Sequence, residues 1–348
     1  VNMSLSKPVF RLMDLPYTAQ KWFAQTLEGE QKVCFSLASK DWKKLVKSAP
    51  QDSQKPMIRF IMVDRIEIDL PNHSQIVMSF ENRHLNYGNL EIPTPTSIYT
   101  SRYLDQRLTM IQLGPSGRNA QDWILYFCEI FGFKTVNVLA QGPGDEFFAK
   151  RMKSILGNLE IHELSIIDGR LETYRLTLEE FKDFEKLMMD KNPYNPEELE
   201  ENVLSKELVH LDLKGQFTFS FSDLLKCQSL NIDITAHAHS ITFPQLNEFI
   251  RLWRDGSRPK FKSLMIKMSI REWDNNLLDQ VMTRIPYSVA SNGPKFFCED
   301  VDRSYFYLME GPNDVKGEFE VWNSEGKKAS VLHHAHGKCV DFYFIVCA

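Results

Sequence analysis

The chain is expected to fold as a short N-terminal bundle of helices, an α/β body built on a mainly parallel sheet, and an antiparallel β cap. Three observations predict this. Large apolar residues recur at helical spacing through the first fifty positions. From residue 118 onward, helical stretches alternate with short apolar strands, the pattern of a sheet with crossover helices. The last fifty residues return to period-two alternation around a turn at Asn323-Ser324-Glu325-Gly326. At 348 residues there is room for a small module and a larger body.

The first helix is expected to open at Pro16, which suits a first turn, and to carry Ala19, Trp22, Phe23 and Leu27 on one face before ending at Gly29. A second short helix runs through Val33, Cys34 and Leu37. Ser39 is placed to cap a third, with Trp42, Leu45 and Val46 on one side and lysines opposite. Three helices of this length cannot bury so many large side chains among themselves, so surplus apolar surface is expected to meet a partner or the body.

The stretch from Ala49 to Pro56 is polar and holds two prolines, which reads as a linker. Met57–Val63, Arg65–Leu70 and Gln75–Phe80 then alternate as half-buried strands do, most clearly in Arg65-Ile66-Glu67-Ile68-Asp69-Leu70. Pro93, Pro95, Gly114, Pro115 and Gly117 make 81–117 read as a loop-rich, exposed segment.

Beyond it a rough repeat is expected. Helices at 118–131, 145–156 and 178–189 each precede a strand, at Thr135–Leu139, Glu160–Ile167 and Leu208–Leu213. The last of these follows an acidic loop containing Pro193 and Pro196. Ser229–Ile234 and Lys262–Met268 flank a helix at 243–254. The strand cores look alike, from Leu164-Ser165-Ile166 to Leu264-Met265-Ile266. They predict a parallel sheet, either doubly wound or curved as a degenerate leucine-rich-repeat-like array. Tyr305–Met309, Gly317–Asn323, Lys328–His333 and Val340–Val346 are the expected cap. The organisation is thus a helical module at 8–50, a linker at 51–56, a β-rich connecting region at 57–117 and the repeat-like domain at 118–348.

Charge and composition exclude several classes. The net charge of −5 and pI near 6.0 argue against general nucleic-acid binding. The charge is uneven, with residues 1–50 at about +4 and the remainder near −9. Within the third helix, Lys40, Lys43, Lys44 and Lys47 form the polar face that any solvated amphipathic helix presents. No apolar run is long enough for a membrane span, and no secretory signal pattern opens the sequence. Six cysteines (Cys34, Cys128, Cys227, Cys298, Cys339 and Cys347) are scattered without a CxxC pair, so reduced thiols in the cytoplasm or nucleus are expected.

No catalytic signature is present: no P-loop, G-x-G-x-x-G after a strand, G-x-S-x-G or H-E-x-x-H. Gly142-Pro143-Gly144-Asp145 is loosely phosphate-loop-like. Pro143 removes an amide donor and no lysine follows, so a plain turn with Asp145 as helix cap is the expectation. His333, His334, His336 and Cys339, with His237 and His239, lack the thiolate-rich spacing of a zinc site. No metal, no cofactor and no catalytic residue is expected. The acidic run Glu197-Glu198-Leu199-Glu200-Glu201 reads as a solvated loop in preference to a basic-peptide site.

Two segments carry a family resemblance. Leu15-Pro16, then Phe35-Ser36-Leu37-Ala38-Ser39-Lys40, then Leu45-Val46-Lys47-Ser48 make Phe10 to Ser48 resemble an F-box of the form common in nematode proteins. Residues 208–269, with Ser240-Ile241-Thr242-Phe243-Pro244-Gln245-Leu246-Asn247 running on to Trp253-Arg254-Asp255-Gly256-Ser257 and then Leu264-Met265-Ile266, resemble the type-2 F-box-associated domain. The tail Gly317 to Val331 resembles that domain's closing hairpin. The resemblance implies a substrate receptor of a Skp-cullin-F-box ubiquitin ligase, itself not an enzyme, that marks a protein target for proteasomal degradation. Residues 8–50 would dock a Skp-type adaptor, and through it cullin, while the body holds the target. Phe10, Leu12, Leu15, Pro16, Trp22, Val33, Phe35, Leu37, Trp42 and Leu45 are the adaptor-contact candidates. The alternative is a non-catalytic binding protein that sequesters or antagonises its target without ubiquitination.

Overall fold

Pro16 sets the start of the first helix, since the amide it lacks has no partner in a first turn. The helix α1 spans Tyr17–Thr26 with Pro16 as its N-cap, after a 3-10 turn at Leu12–Asp14. The computed structural model describes residues 12–49, 55–61, 64–70, 74–80, 92–104, 107–113, 117–144, 146–235, 240–258, 260–269, 277–289, 319–336 and 339–347. Their contacts divide the chain into two units, Val1–His162 and Glu163–Ala348.

In the first unit, α2 (Gly29–Ala38) and α3 (Lys40–Ser48) complete the helical module. Ser39 caps α3 as expected, its Oγ accepting the Trp42 amide at 3.1 Å. Gly29 does not end α1; it begins α2. A Cβ there would stand 3.0 Å from the Ser74 Cβ and 3.2 Å from Leu70 Cδ1, so a missing side chain lets the helix approach the sheet. The module's core is Ala24, Trp42, Leu45 and Ala49, with Leu12, Phe23 and Phe35 packed on it.

The sheet of this unit starts as an antiparallel meander: β1 (Met57–Ile61), β2 (Arg65–Asp69), β3 (Ser74–Ser79), β4 (Ser97–Leu104) and β5 (Arg107–Leu113). The hairpin of β4 and β5 corrects the loop-rich reading of 81–117. Pro93, Pro95 and Pro115 lie outside these strands, and their punctuation masked an alternation that sets Ile98 opposite Met78 in the ladder. Helix α4 (Ala120–Phe131) follows, capped by Asn119 Oδ1 on the Asp122 amide and stopped by Gly132 at φ +69°. It leads to β6 (Thr135–Gln141), which pairs parallel to β1 and completes the order β6-β1-β2-β3-β4-β5. Helix α5 (Phe148–Leu156) closes the unit. The boundary at 162/163 falls inside β7 (Glu160–Ile167).

The second unit alternates helix and strand. Its elements are α6 (Leu171–Glu180), β8 (Lys186–Met189), α7 (Pro196–Leu199), β9 (His210–Leu213), α8 (Phe221–Lys226), β10 (Asn231–Ile234), α9 (Phe243–Arg254) and β11 (Ser263–Ser269). Then come α10 (Leu277–Met282), β12 (Ser288–Val289), β13 (Phe319–Trp322), β14 (Lys328–His336) and β15 (Cys339–Val346). Strands β7 to β11 pair parallel in sequence order; β15 then pairs antiparallel to β11, followed by β14, β13 and β12. The molecule therefore has N-terminal helices, mixed sheet and a C-terminal antiparallel strand group.

One apolar ladder explains the register. Leu164, Leu187, Leu211, Ile232, Leu264 and Phe344 are successive partners, and each is buried. Phe249 and Trp253 of α9 meet Phe344 edge-on at 5.8 and 5.0 Å between ring centroids.

Two expectations fail here. The helix expected at 178–189 lies at 171–180, and Lys186–Met189 is strand. Phe181, Phe184, Leu187 and Met188 fall at helical spacing by coincidence, and a strand of four residues is too short to show its own period. The acidic loop contains a helical turn. Asn195 Oδ1 accepts the amides of Glu197 and Glu198 at 3.1 and 2.9 Å, Pro196 takes the first helical position, and a π-helical turn at Glu200–Leu204 continues it. The strand expected at Tyr305–Met309 lies outside the described residues.

Candidate protein-interaction surfaces

Helix α1 turns its small Ala24 inward, which leaves bulky residues outside. Tyr17 is 62% and Trp22 67% exposed, and Leu37 on α2 is 37% exposed. Of the expected adaptor contacts, Pro16, Trp22 and Leu37 thus lie on the surface, and Leu12, Leu15 and Phe35 are half-buried. Val33, Trp42 and Leu45 are interior: Trp42 closes an aromatic cluster with Phe35 at 4.7 Å and Phe23 at 5.9 Å. Phe10 lies outside the described residues.

The module is fastened to the rest of its unit by polar contacts from two of its helices. From α2, Ser36 Oγ accepts the Tyr126 hydroxyl at 2.9 Å, and Glu30 Oε2 accepts the Ser74 hydroxyl at 2.7 Å in a buried setting. From α3, Lys43 and Lys47 reach Glu129 at 2.5 and 2.9 Å, and Lys43 also sits 4.7 Å from the Tyr126 ring centre. Hydrogen bonds from the two lysines hold the Glu129 carboxyl below its usual range. The lysine face of α3 is therefore divided. Lys40 and Lys44 point to solvent, whereas Lys43 and Lys47 dock the helix on α4.

In the second unit the strands alternate strictly, and residues between the apolar ladder positions line the opposite sheet face. Two rows run across it. Lys186, His210, Asn231, Ser263 and Ile345 form one; Met188, Asp212, Asp233, Met265 and Tyr343 form the next. Lys186, Met188, His210, Asp233 and Tyr343 retain partial exposure. His210 Nε2 lies 3.0 Å from Asp233 Oδ2, and Lys214 Nζ 3.0 Å from Asp212 Oδ2. Ser263 donates to Asn231 Oδ1 at 2.7 Å, and Asn231 in turn donates to the Val209 carbonyl at 2.7 Å.

Burial disfavours a charged imidazole, yet the hydrogen bond and charge of Asp233, with Asp212 beside it, outweigh burial and raise the His210 pKa. Burial pushes the Asp212 carboxyl up, against the pull of Lys214. Burial, Asp341 and Asp233 likewise push Tyr343 up. This face carries side chains of both signs in a fixed lattice of partners, suited to reading a polar surface by complementary charge. Sequence spacing missed it. The signal was the repeated apolar-polar alternation in His210-Leu211-Asp212-Leu213 and Asn231-Ile232-Asp233-Ile234, whose polar positions share a face once the strands are paired in register.

Among the described residues the remaining candidates assemble no site. Among the described residues no group of three His, Cys, Asp or Glu side chains could hold a metal ion. His237 and His239 and the side chains of His334 and His336 lie outside those residues, and His333 and Cys339 are half-buried. At the phosphate-loop-like turn the Gly144 amide donates to the Gly142 carbonyl at 3.0 Å, so it does not cradle an anion. Phe147, not Asp145, occupies the cap of α5. In the acidic run, Glu198 pairs with Arg175 and Glu200 with Lys226. Among the described residues no helix is long and apolar enough to cross a membrane.

The parallel strands β9, β10 and β11 with α8 and α9 bear both the polar rows and the apolar ladder, and this is the region with a family match. Residues 201–266 match the F-box associated family. That span holds His210, Asp212 and Asp233, and it includes the Ser240 to Ser257 stretch that carried the resemblance. The chain resembles F-box-associated proteins in this segment, in keeping with a substrate-binding role in a Skp-cullin-F-box setting. No curated protein and no solved structure matches the chain.

Proposed function

We propose that the chain is the target-recruiting subunit of a Skp-cullin-F-box ubiquitin ligase. Residues 8–50 act as the F-box and dock a Skp-type adaptor, and the polar sheet face of the second unit holds a protein target. The observation that carries this reading is the F-box-associated domain at residues 201–266 in a chain that opens with three helices exposing Tyr17, Trp22 and Leu37. Large aromatic residues on a small module favour a partner surface. The parallel strand-helix units of the body are read as a degenerate leucine-rich-repeat-like array, whose exposed strand face serves recognition.

In this reading the protein performs no chemistry of its own. It raises the effective concentration of target lysines near a charged ubiquitin-conjugating enzyme carried by other subunits, in the cytoplasm or nucleus. The test is affinity capture of the full chain under proteasome inhibition beside two variants, Trp22→Ala and the double change Leu15→Ala with Pro16→Ala. Adaptor and cullin are expected with the wild type and are lost from both variants, while captured targets remain. Adaptor retained by both variants would falsify the docking assignment. Adaptor and target captured together, with target abundance unmoved by proteasome inhibition, would instead indicate sequestration.

A further inference from the structure

A recess of about 350 Å³ lies beside α8, the end of α9 and the segment leading into β11. Leu225, Leu252 and Phe261 supply apolar wall, and Glu207, Lys260 and Arg258 supply charge. Lys260 Nζ and Glu207 Oε1 pair at 2.9 Å and cancel. Arg258 has no such compensation. Its Nη2 donates to the Cys227 carbonyl, and its guanidinium carbon lies 5.6 and 5.4 Å from the Phe249 and Phe261 ring centres. Its Nη1 is shut off from solvent without a hydrogen-bond partner, and among the described residues no carboxylate pairs with it. A carbonyl and two rings satisfy one donor and shield the stem, but they do not neutralise a half-buried cation. Burial accordingly lowers the Arg258 pKa.

We propose that this recess binds a carboxylate carried on an apolar body, with Arg258 as its counter-charge. The charge count decides the ligand class. One uncompensated positive charge matches a monoanion, whereas a phosphoryl dianion would leave excess negative charge beside Glu207. The apolar wall suits an aliphatic side chain next to the acid group. Arg258 is part of the recess wall, so the carboxylate is placed inside the recess beside the guanidinium. Two sources present this chemistry: the C-terminal residue of a peptide and a free acylated amino acid. The site does not depend on adaptor docking.

Ligand-observed saturation-transfer NMR on the full chain tests it with four probes: N-acetyl-leucine, its amide, a glycine-serine peptide ending in leucine with a free carboxylate, and the same peptide amidated. Binding of either acid, weakened about tenfold or more by amidation, is the expected result. Binding of both acids marks a peptide terminus as an accepted source; binding of N-acetyl-leucine alone marks a free acid. Arg258→Gln should weaken acid binding about tenfold, and Lys260→Gln only about threefold or less, since its charge is already cancelled. If Arg258→Gln does not fold, the acid-to-amide comparison on the wild type decides. Equal binding of acids and amides, or binding of neither acid at millimolar concentration, overturns the proposal.

Discussion

The hydroxyl of Tyr126 donates to Ser36 Oγ at 2.9 Å, joining α4 to α2 across 90 positions of sequence. Ser36 passes the bond on to the Val33 carbonyl at 2.8 Å, so both hydroxyls in this buried pair are used. Tyr126→Phe should therefore lower stability by about 1 kcal/mol, read as a shift of the urea midpoint at constant slope. An unchanged midpoint would mean that the pair contributes nothing to holding the helices.

Two tryptophans on adjacent helices should behave in opposite ways. Trp22 is 67% exposed and Trp42 is 8% exposed within the aromatic cluster. Trp22→Ala is expected to change stability by less than about 0.5 kcal/mol while reducing adaptor binding, and Trp42→Ala to cost about 3 kcal/mol or more. Denaturation alongside adaptor binding separates the two. Equal stability losses would place Trp22 in the core instead of at a docking surface.

Gly29 lies close against the sheet, with Ser74 Cβ 3.0 Å from the position a side chain would take. Gly29→Val should push α2 away and destabilise the first unit by about 1–3 kcal/mol. Hydrogen exchange should then rise in α2. Unaltered exchange and stability would show that the contact yields without cost.

The His210 and Asp233 pair predicts a pH dependence with a definite sign. The folded pKa of His210 is raised above its ordinary 6.5, so protonation stabilises the fold. That contribution is complete below pH 6.5 and is lost as pH rises through the folded value. His210→Gln should remove this decline, flattening stability against pH from 6.5 upward. A variant whose profile parallels the wild type across that window would assign the decline to another group.

Much of the architecture was legible because its signals are local and long. Helix α9 follows the expected 243–254 because Thr242, Pro244 and the spacing of Leu246, Phe249, Ile250 and Trp253 all point one way. Strand β7 fits its forecast for the same reason. Short elements were lost: β8 has four residues, too few to outweigh a chance helical spacing that began at Phe181. The β4–β5 hairpin was hidden by flanking prolines whose effect stops at the strand ends. The module's surface was half legible. Composition revealed surplus apolar residues, but only packing separates Trp22 from Trp42. The polar sheet face was not legible as a site, since His210 and Asp233 stand 23 residues apart and meet only through the ladder register.

The fastening of the helices has an evolutionary consequence. Glu30, Ser36, Lys43 and Lys47 hold partners at Ser74, Tyr126 and Glu129, which are dispersed through the strands and helix that follow. The N-terminal helices therefore cannot be exchanged between chains as a self-contained cassette. A transplanted module would arrive without its counterparts, leaving the buried Glu30 carboxylate without its donor and the Ser74 hydroxyl it left behind without its acceptor. Substitutions on the two sides of this seam are expected to accumulate in matched pairs.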